Sequence, residues 1–171
     1  MPRHPQRFDE VAALIERVAG PAPRRSDGGI VPATARFALG DSMGEMMAYY
    51  SAAGVAFVGG SLLPFGGQNL IEACATGRPV LVGPHTFNFS AAAEEALRRG
   101  AALRAGTATE LVQMALALTQ APDRRALMGN AALAFAEENR GALDRLVHWL
   151  EPAIGAIPGS APRSPARDRT P

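Results

Sequence analysis

Lysine is absent from the 171 residues, so all 17 basic side chains are arginine. This excludes Schiff-base chemistry on a lysine amine and phosphate loops of the G-x-x-x-x-G-K-[ST] type. An anion has to be held by arginine, backbone amides or a helix end. Cysteine is almost absent: Cys74 stands alone, which excludes an intrachain disulfide and a cysteine-rich metal site. It reads as a buried spacer rather than a nucleophile. The three histidines, His4, His85 and His148, are scattered, and no D-x-D or H-x-x-x-H spacing accompanies them, so a metal-independent site is expected. Net charge of one sign is also missing. With 17 basic against 16 acidic residues, the formal +1 supplies no field to draw the chain onto nucleic acid or an anionic bilayer. No apolar run reaches the ~18 residues that span a membrane, and "MPRHPQRF" lacks the features of a signal peptide, so a soluble chain is expected.

What is present is a strand and helix alternation in a chain with 47% hydrophobic residues, enough for one sizeable core. Phe8, Val11, Ile15 and Val18 fall on one helical face, with Asp9 and Glu10 in the first turn and Gly20 beyond the end. A loop at 20–29 follows. The pattern then predicts strands at 35–39, 55–58, 79–82 and, weakly, 101–104, alternating with helices near 43–53, 69–75, 88–99 and 108–120. Such repetition implies parallel strands joined by right-handed crossovers: an α/β, doubly wound parallel sheet. Two further helices, 122–139 and 142–150, are expected to wrap the sheet edge or clasp a neighbouring domain. Residues 1–150 thus read as one domain and the proline- and arginine-rich 151–171 as a disordered tail. One feature is awkward: the first helix has no strand feeding it, and a sheet whose strands begin at residue 35 is expected to lack its first ones.

Ligands of open parallel sheets gather beyond the carboxyl ends of the strands. Three segments fall there: "LGDSMGE", "GGSLLPFGGQNLIE" and "GPHTFNF". Glycine pairs let main-chain amides approach a ligand, so the middle loop reads as one that presents amides and then starts a helix at Asn69. Glu72 has two readings. Asn69-x-x-Glu72 has the spacing of a capping box, which Ser42-x-x-Glu45 and Thr107-x-x-Glu110 repeat. Alternatively, its carboxylate accepts hydrogen bonds from two ribose hydroxyls. Glu110 is expected to cap, while Glu45 stays open between the two roles. His85 is divided between loop packing and binding, His4 between anion contact and a rigid turn between prolines. His148, beside Trp149, is expected to be structural.

"PRHPQRFDEV", "LGDSMGEMMAYYSAAGVAFVGGSL", "PFGGQNLIEACATGRPVLVGPHTFNF" and, more weakly, "MGNAALAFAEENRGALDRL" resemble, in this order, the carboxyl-terminal domain of the Kdo (3-deoxy-D-manno-octulosonic acid) transferases. The resemblance covers roughly residues 2–147. It implies half of a two-domain GT-B glycosyltransferase that takes Kdo from CMP-Kdo to the lipid A precursor at the cytoplasmic face of the bacterial inner membrane, without metal or other cofactor. Donor-binding residues carried over by it are Arg3, His4, Met43, Gly44, Glu45, Gly60, Ser61, Gly66, Gly67, Gln68, Asn69 and Glu72. Gln68 stands where many members have histidine, which implies a hydrogen-bonding rather than a proton-carrying role. The catalytic base and the lipid acceptor site are expected in an amino-terminal domain to which nothing here corresponds, so the chain is expected to be a fragment inactive alone. Two other readings remain: another GT-B glycosyltransferase or nucleotide-sugar epimerase, and a non-catalytic module that binds a partner through a bare sheet edge.

Overall fold

The computed structural model describes residues 1–2, 4–141 and 150. Two compact units divide the chain, Met1–Ala136 and Glu137–Pro171. Of the second, residues 137–141 and 150 are described, and there Arg140 pairs with Glu137 at 2.9 Å. The sequence-predicted tail and all but the last residue of the expected helix at 142–150 lie outside the described residues.

Three short strands form the sheet of the first unit: β1 (Ala56–Phe57), β2 (Val80–Val82) and β3 (Ala102–Arg104). All are parallel in the order β1-β2-β3, with Ala56 opposite Val80 and Leu81 opposite Leu103. The central strand is apolar without interruption, as a strand covered on both faces must be, and all three of its residues are buried. Its period of two divides it between two layers. Val80 and Val82 pack with Leu70, Ala73 and Cys74 of α3 (Leu70–Cys74) and with Ala93 and Ala96 of α4 (Ser90–Arg98). Leu81 points the other way, onto Leu118 of α5 (Ala108–Thr119) and Met128 of α6 (Pro122–Asn139). Successive right-handed crossovers that step in one direction leave their helices on one face, as α3 and α4 are, and α5 takes the other. The expected α/β class with both faces covered is what forms. Burial of each such Val or Leu contributes about 1.5–3 kcal/mol.

The role expected for α6 is corrected by its packing. Rather than wrapping an edge, it places Ala132, Phe135 and Ala136 in the main core, and Phe135 is among the largest fully buried side chains. Gly129 makes this possible, since a Cβ there would come within 2.4 Å of the Gly77 carbonyl oxygen.

The strand expected at 35–39 does not form. A strand needs a ladder of partners, and among the described residues this segment has a single parallel bridge, between Leu39 and Arg24, made by Arg25 N–H to Leu39 O at 2.9 Å and Leu39 N–H to Pro23 O at 2.8 Å. Leu39 is buried while Phe37 is 48% exposed, so the apolar composition of the segment does not reflect a buried face. Helix α2 (Met46–Ala52) likewise starts later than its periodicity suggests, after Gly44 at φ +79°. Helix α1 (Phe8–Ala19) has its expected limits but no fully buried residue. Its attachment includes an ion pair from Asp9 to Arg24 at 2.9 Å. No helix among the described residues is long and apolar enough to cross a membrane.

Candidate functional site

Beyond the carboxyl end of β1 the chain turns through Gly59 and Gly60 and returns to α3 through Gly66-Gly67. Both residues of the second pair have left-handed backbones, φ +85° and +75°, which a side chain would strain. The loop closes on itself where Gly67 N–H donates to Gly60 O at 3.0 Å. That amide is therefore spent within the loop rather than offered to a ligand.

A second loop, after β2, braces the first. The Ser61 hydroxyl donates to Val58 O at 2.6 Å and accepts from Gly83 N–H at 2.8 Å. His85 N–H donates to Ser61 O at 2.9 Å and Asn88 N–H to Gly66 O at 3.2 Å. Backbones can lie this close only because residue 83 is glycine: an added Cβ would stand 2.2 Å from Ser61 O.

Along β1, between the segment around His4, helix α2 and the glycine loop, lies a cleft of about 880 Å³. His4, Gly60, Gln68, Asn69 and Glu72 line it, which brings five of the residues carried over by resemblance to one surface. The other seven are placed differently. Ser61, Gly66 and Gly67 are buried behind the loop, and Ser61 has no exposed surface. Met43 and Gly44 are exposed but are not part of the cleft wall. Glu45 is also outside it, paired with Arg25 at 2.9 Å and accepting a hydrogen bond from Ser42, and these interactions, the Ser42 bond foremost, hold its carboxyl below the ordinary range. Arg3 lies outside the described residues.

The three capping-box spacings give three outcomes. At Asn69 the side-chain oxygen accepts from Ile71 N–H at 3.0 Å, while the side-chain nitrogen points to Glu72 Oε1 at 3.3 Å. Asparagine thus caps α3 without a return bond, and the exposed Glu72 carboxylate faces the cleft. At Thr107 the hydroxyl caps Glu110 N–H at 3.2 Å, and Glu110 reaches back one residue further than the motif implies, to Gly106 N–H at 2.7 Å. At Ser42 no cap forms, since α2 starts after Glu45 and the two side chains bond each other.

Residues missed in the sequence complete the wall. Met46, Tyr49, Tyr50 and Ala53 line it from α2 and the residue after it, at the i, i+3, i+4, i+7 spacing of one helical face. That spacing supported only a helix near 43–53 in the sequence, with no face assigned to a site. Tyr49 OH lies 2.7 Å from Ser42 Oγ, which links it to Glu45. Burial, with the Glu72 carboxylate adding to it, pushes the Tyr50 phenol above its ordinary value, so this hydroxyl stays protonated at neutral pH. Arg7 adds the wall's arginine. His85, partly buried, takes part through its amide, as loop packing rather than as cleft lining. His148 and Trp149 lie outside the described residues. Cys74 is fully buried and its thiol is raised to about 12 by burial, which fits the spacer role.

No family model matches the chain. Individual proteins do. The 3-deoxy-D-manno-octulosonic acid transferase of Bordetella pertussis is 51% identical over 156 residues, which is 91% of this chain and 36% of that protein. The enzyme of the same name from Haemophilus influenzae is 39% identical over 155 residues, 90% of this chain and 36% of its own length. The chain therefore spans about a third of the curated relatives it matches. Among solved structures, the C-terminal CMP-Kdo binding domain of WaaA from Acinetobacter baumannii superposes with a TM-score of 0.72 and 37% identity, over 81% of this chain and 70% of that one. The parallel sheet with covering helices, expected of the carboxyl-terminal half of a GT-B glycosyltransferase, is shared with that domain. On sequence and fold together, this chain belongs to the 3-deoxy-D-manno-octulosonic acid transferase family.

Proposed function

We propose that the cleft beside β1 is a donor-binding site and that its ligand is CMP-Kdo. The observation that carries this is the convergence of His4, Gly60, Gln68, Asn69 and Glu72 on one surface at the carboxyl end of a parallel strand. Its volume of about 880 Å³ is of the size that holds a nucleotide-linked sugar. The solved relative that superposes on this chain is described as a CMP-Kdo binding domain, which favours cytidine over uridine nucleotides.

Each residue has a role in this reading. Glu72 accepts hydrogen bonds from the ribose hydroxyls, being free of a return cap bond. Gln68 and Asn69 hydrogen-bond the donor through their carboxamides. Arg7 and His4 oppose the phosphate, with Arg3 joining them by resemblance. Leaving CMP gains negative charge, and positively charged side chains together with loop amides stabilise it in the transition state. The transfer inverts the anomeric centre, with the acceptor hydroxyl deprotonated by a carboxylate in the part of the relatives that this chain does not span. That part also engages the lipid A precursor and the membrane face. Metal is not required in this scheme. It follows that the 171 residues alone bind donor but do not transfer Kdo.

Titration calorimetry with CMP and UMP on the purified chain tests the reading, alongside a Kdo-transfer assay. Selective CMP binding without turnover is the expected result. Equal affinity for UMP would favour another glycosyltransferase or an epimerase, and measurable Kdo transfer would overturn the division of labour between domains.

A further inference from the structure

Asn88 stands apart from the cleft, in the 3-10 turn Phe87–Phe89 that leads into α4. Three of its hydrogen bonds nevertheless run to the glycine loop beside the cleft. The carboxamide nitrogen donates to Phe65 O at 3.2 Å and to Gly67 O at 3.3 Å, and the backbone N–H donates to Gly66 O at 3.2 Å. Three consecutive carbonyls of one turn are thus held by one residue. The fit is close as well as polar, since a Cβ on Gly66 would come within 2.4–2.6 Å of the Asn88 carboxamide atoms. Gln68 and Asn69 follow directly on the held segment, and both line the cleft.

We propose that Asn88 is a positioning residue, whose carboxamide fixes the Phe65–Gly66–Gly67 turn in the one shape that presents Gln68, Asn69 and Glu72 to the donor. The role needs a side chain with an N–H donor of this length. Aspartate, equal in size, has only acceptors and would set a negative charge against two carbonyl oxygens. Alanine would remove both side-chain bonds, leaving the Asn88 N–H to Gly66 O bond and the loop's own Gly67 N–H to Gly60 O bond. Two consecutive glycines with left-handed backbones have many other conformations to visit once released. The consequence falls on the ordering of the loop before ligand arrives, which sets affinity without a direct contact.

This inference rests on the donor-site reading above, and its test separates the two. Backbone hydrogen exchange is measured on the full chain for wild type, Asn88→Ala and Asn88→Asp, in parallel with CMP titration. Exchange of the Gly67 amide, bonded to Gly60 O, is expected to accelerate about tenfold or more in both variants while amides of β2 keep their wild-type rates. CMP affinity is expected to fall by a similar factor, more in the aspartate variant. Wild-type exchange at Gly67, a uniform rise through β2 and β3, or unchanged CMP affinity despite faster local exchange would each overturn the proposal. Should wild-type protein not bind CMP, the donor-site reading fails. The exchange arm then decides alone whether Asn88 holds the turn.

Discussion

Arg24 Nε lies 2.7 Å from Asp41 Oδ2, and the carboxylate it meets has only 1% of its side chain exposed. Burial on its own would raise the Asp41 pKa. Hydrogen bonds from the Ser26 hydroxyl at 2.6 Å, from Arg24, and from Ser26 N–H at 2.8 Å reverse this and hold it at about 2, against an ordinary 3.8. A depressed acid pKa contributes stability that is present above the unfolded value and lost as pH falls through the folded one. Stability is therefore expected to be flat above about pH 5 and to decline between about pH 4 and pH 2. Asp41→Asn should be less stable than wild type at pH 7 and converge with it near pH 2. Urea unfolding across this range checks both, and parallel curves for the two proteins would remove Asp41 from the explanation.

Gly83→Ala should be among the costliest single-methyl additions in the chain. Its new carbon would meet backbone atoms of Ser61 and Leu62 at 2.2–2.5 Å, which cannot swing aside as a side chain can. Overpacking of this kind costs about 3 kcal/mol. A loss of unfolding free energy of that size is expected in urea denaturation, and a variant as stable as wild type would mean that the two loops can separate freely.

Glu72→Gln separates a ligand contact from a helix cap. The cap of α3 is made by Asn69, so stability should change by less than about 0.5 kcal/mol. Loss of a charged acceptor for ribose hydroxyls should weaken CMP about tenfold. Calorimetry and thermal melts on the same preparation give both numbers, and intact CMP affinity would rule out the ribose role.

Cys74 has no exposed surface and its thiol is raised to about 12 by burial, leaving almost no thiolate at neutral pH. Iodoacetamide is expected to modify it only when the protein opens, at a rate that rises with denaturant. Prompt alkylation of native protein would show that the packing of α3 on β2 is looser than described.

How far the sequence disclosed this molecule depended on where each segment finds its partners. The strand at 80–82 was legible because a parallel central strand is apolar throughout, whereas 102–104, last in the strand order and ending in Arg104, gave only a weak signal. The segment at 35–39 had the composition of a strand without a ladder to join, and composition does not report pairing. Site residues divided along the same line. Glu72 was singled out by capping spacing and loop chemistry and Gln68 by the family resemblance, and both line the cleft, whereas Tyr49 and Tyr50 were passed over because a helical face that lines a cleft has the same period as one that lines a core. Ser61 shows the converse. A polar residue in a glycine-rich loop invites a binding role, but here the hydroxyl is consumed between Val58 O and Gly83 N–H.

The brace between the two loops also bears on biosynthesis. Asn88 holds carbonyls that precede it by 21 and 23 residues, so a nascent chain ending at Asn69 has the loop's own closing bond but not the brace on Phe65 and Gly67. Emergence of β2 and of the residues up to Phe89 from the ribosome must come first. The bracing of the glycine loop is then a late event of maturation, completed only after the central strand beside it.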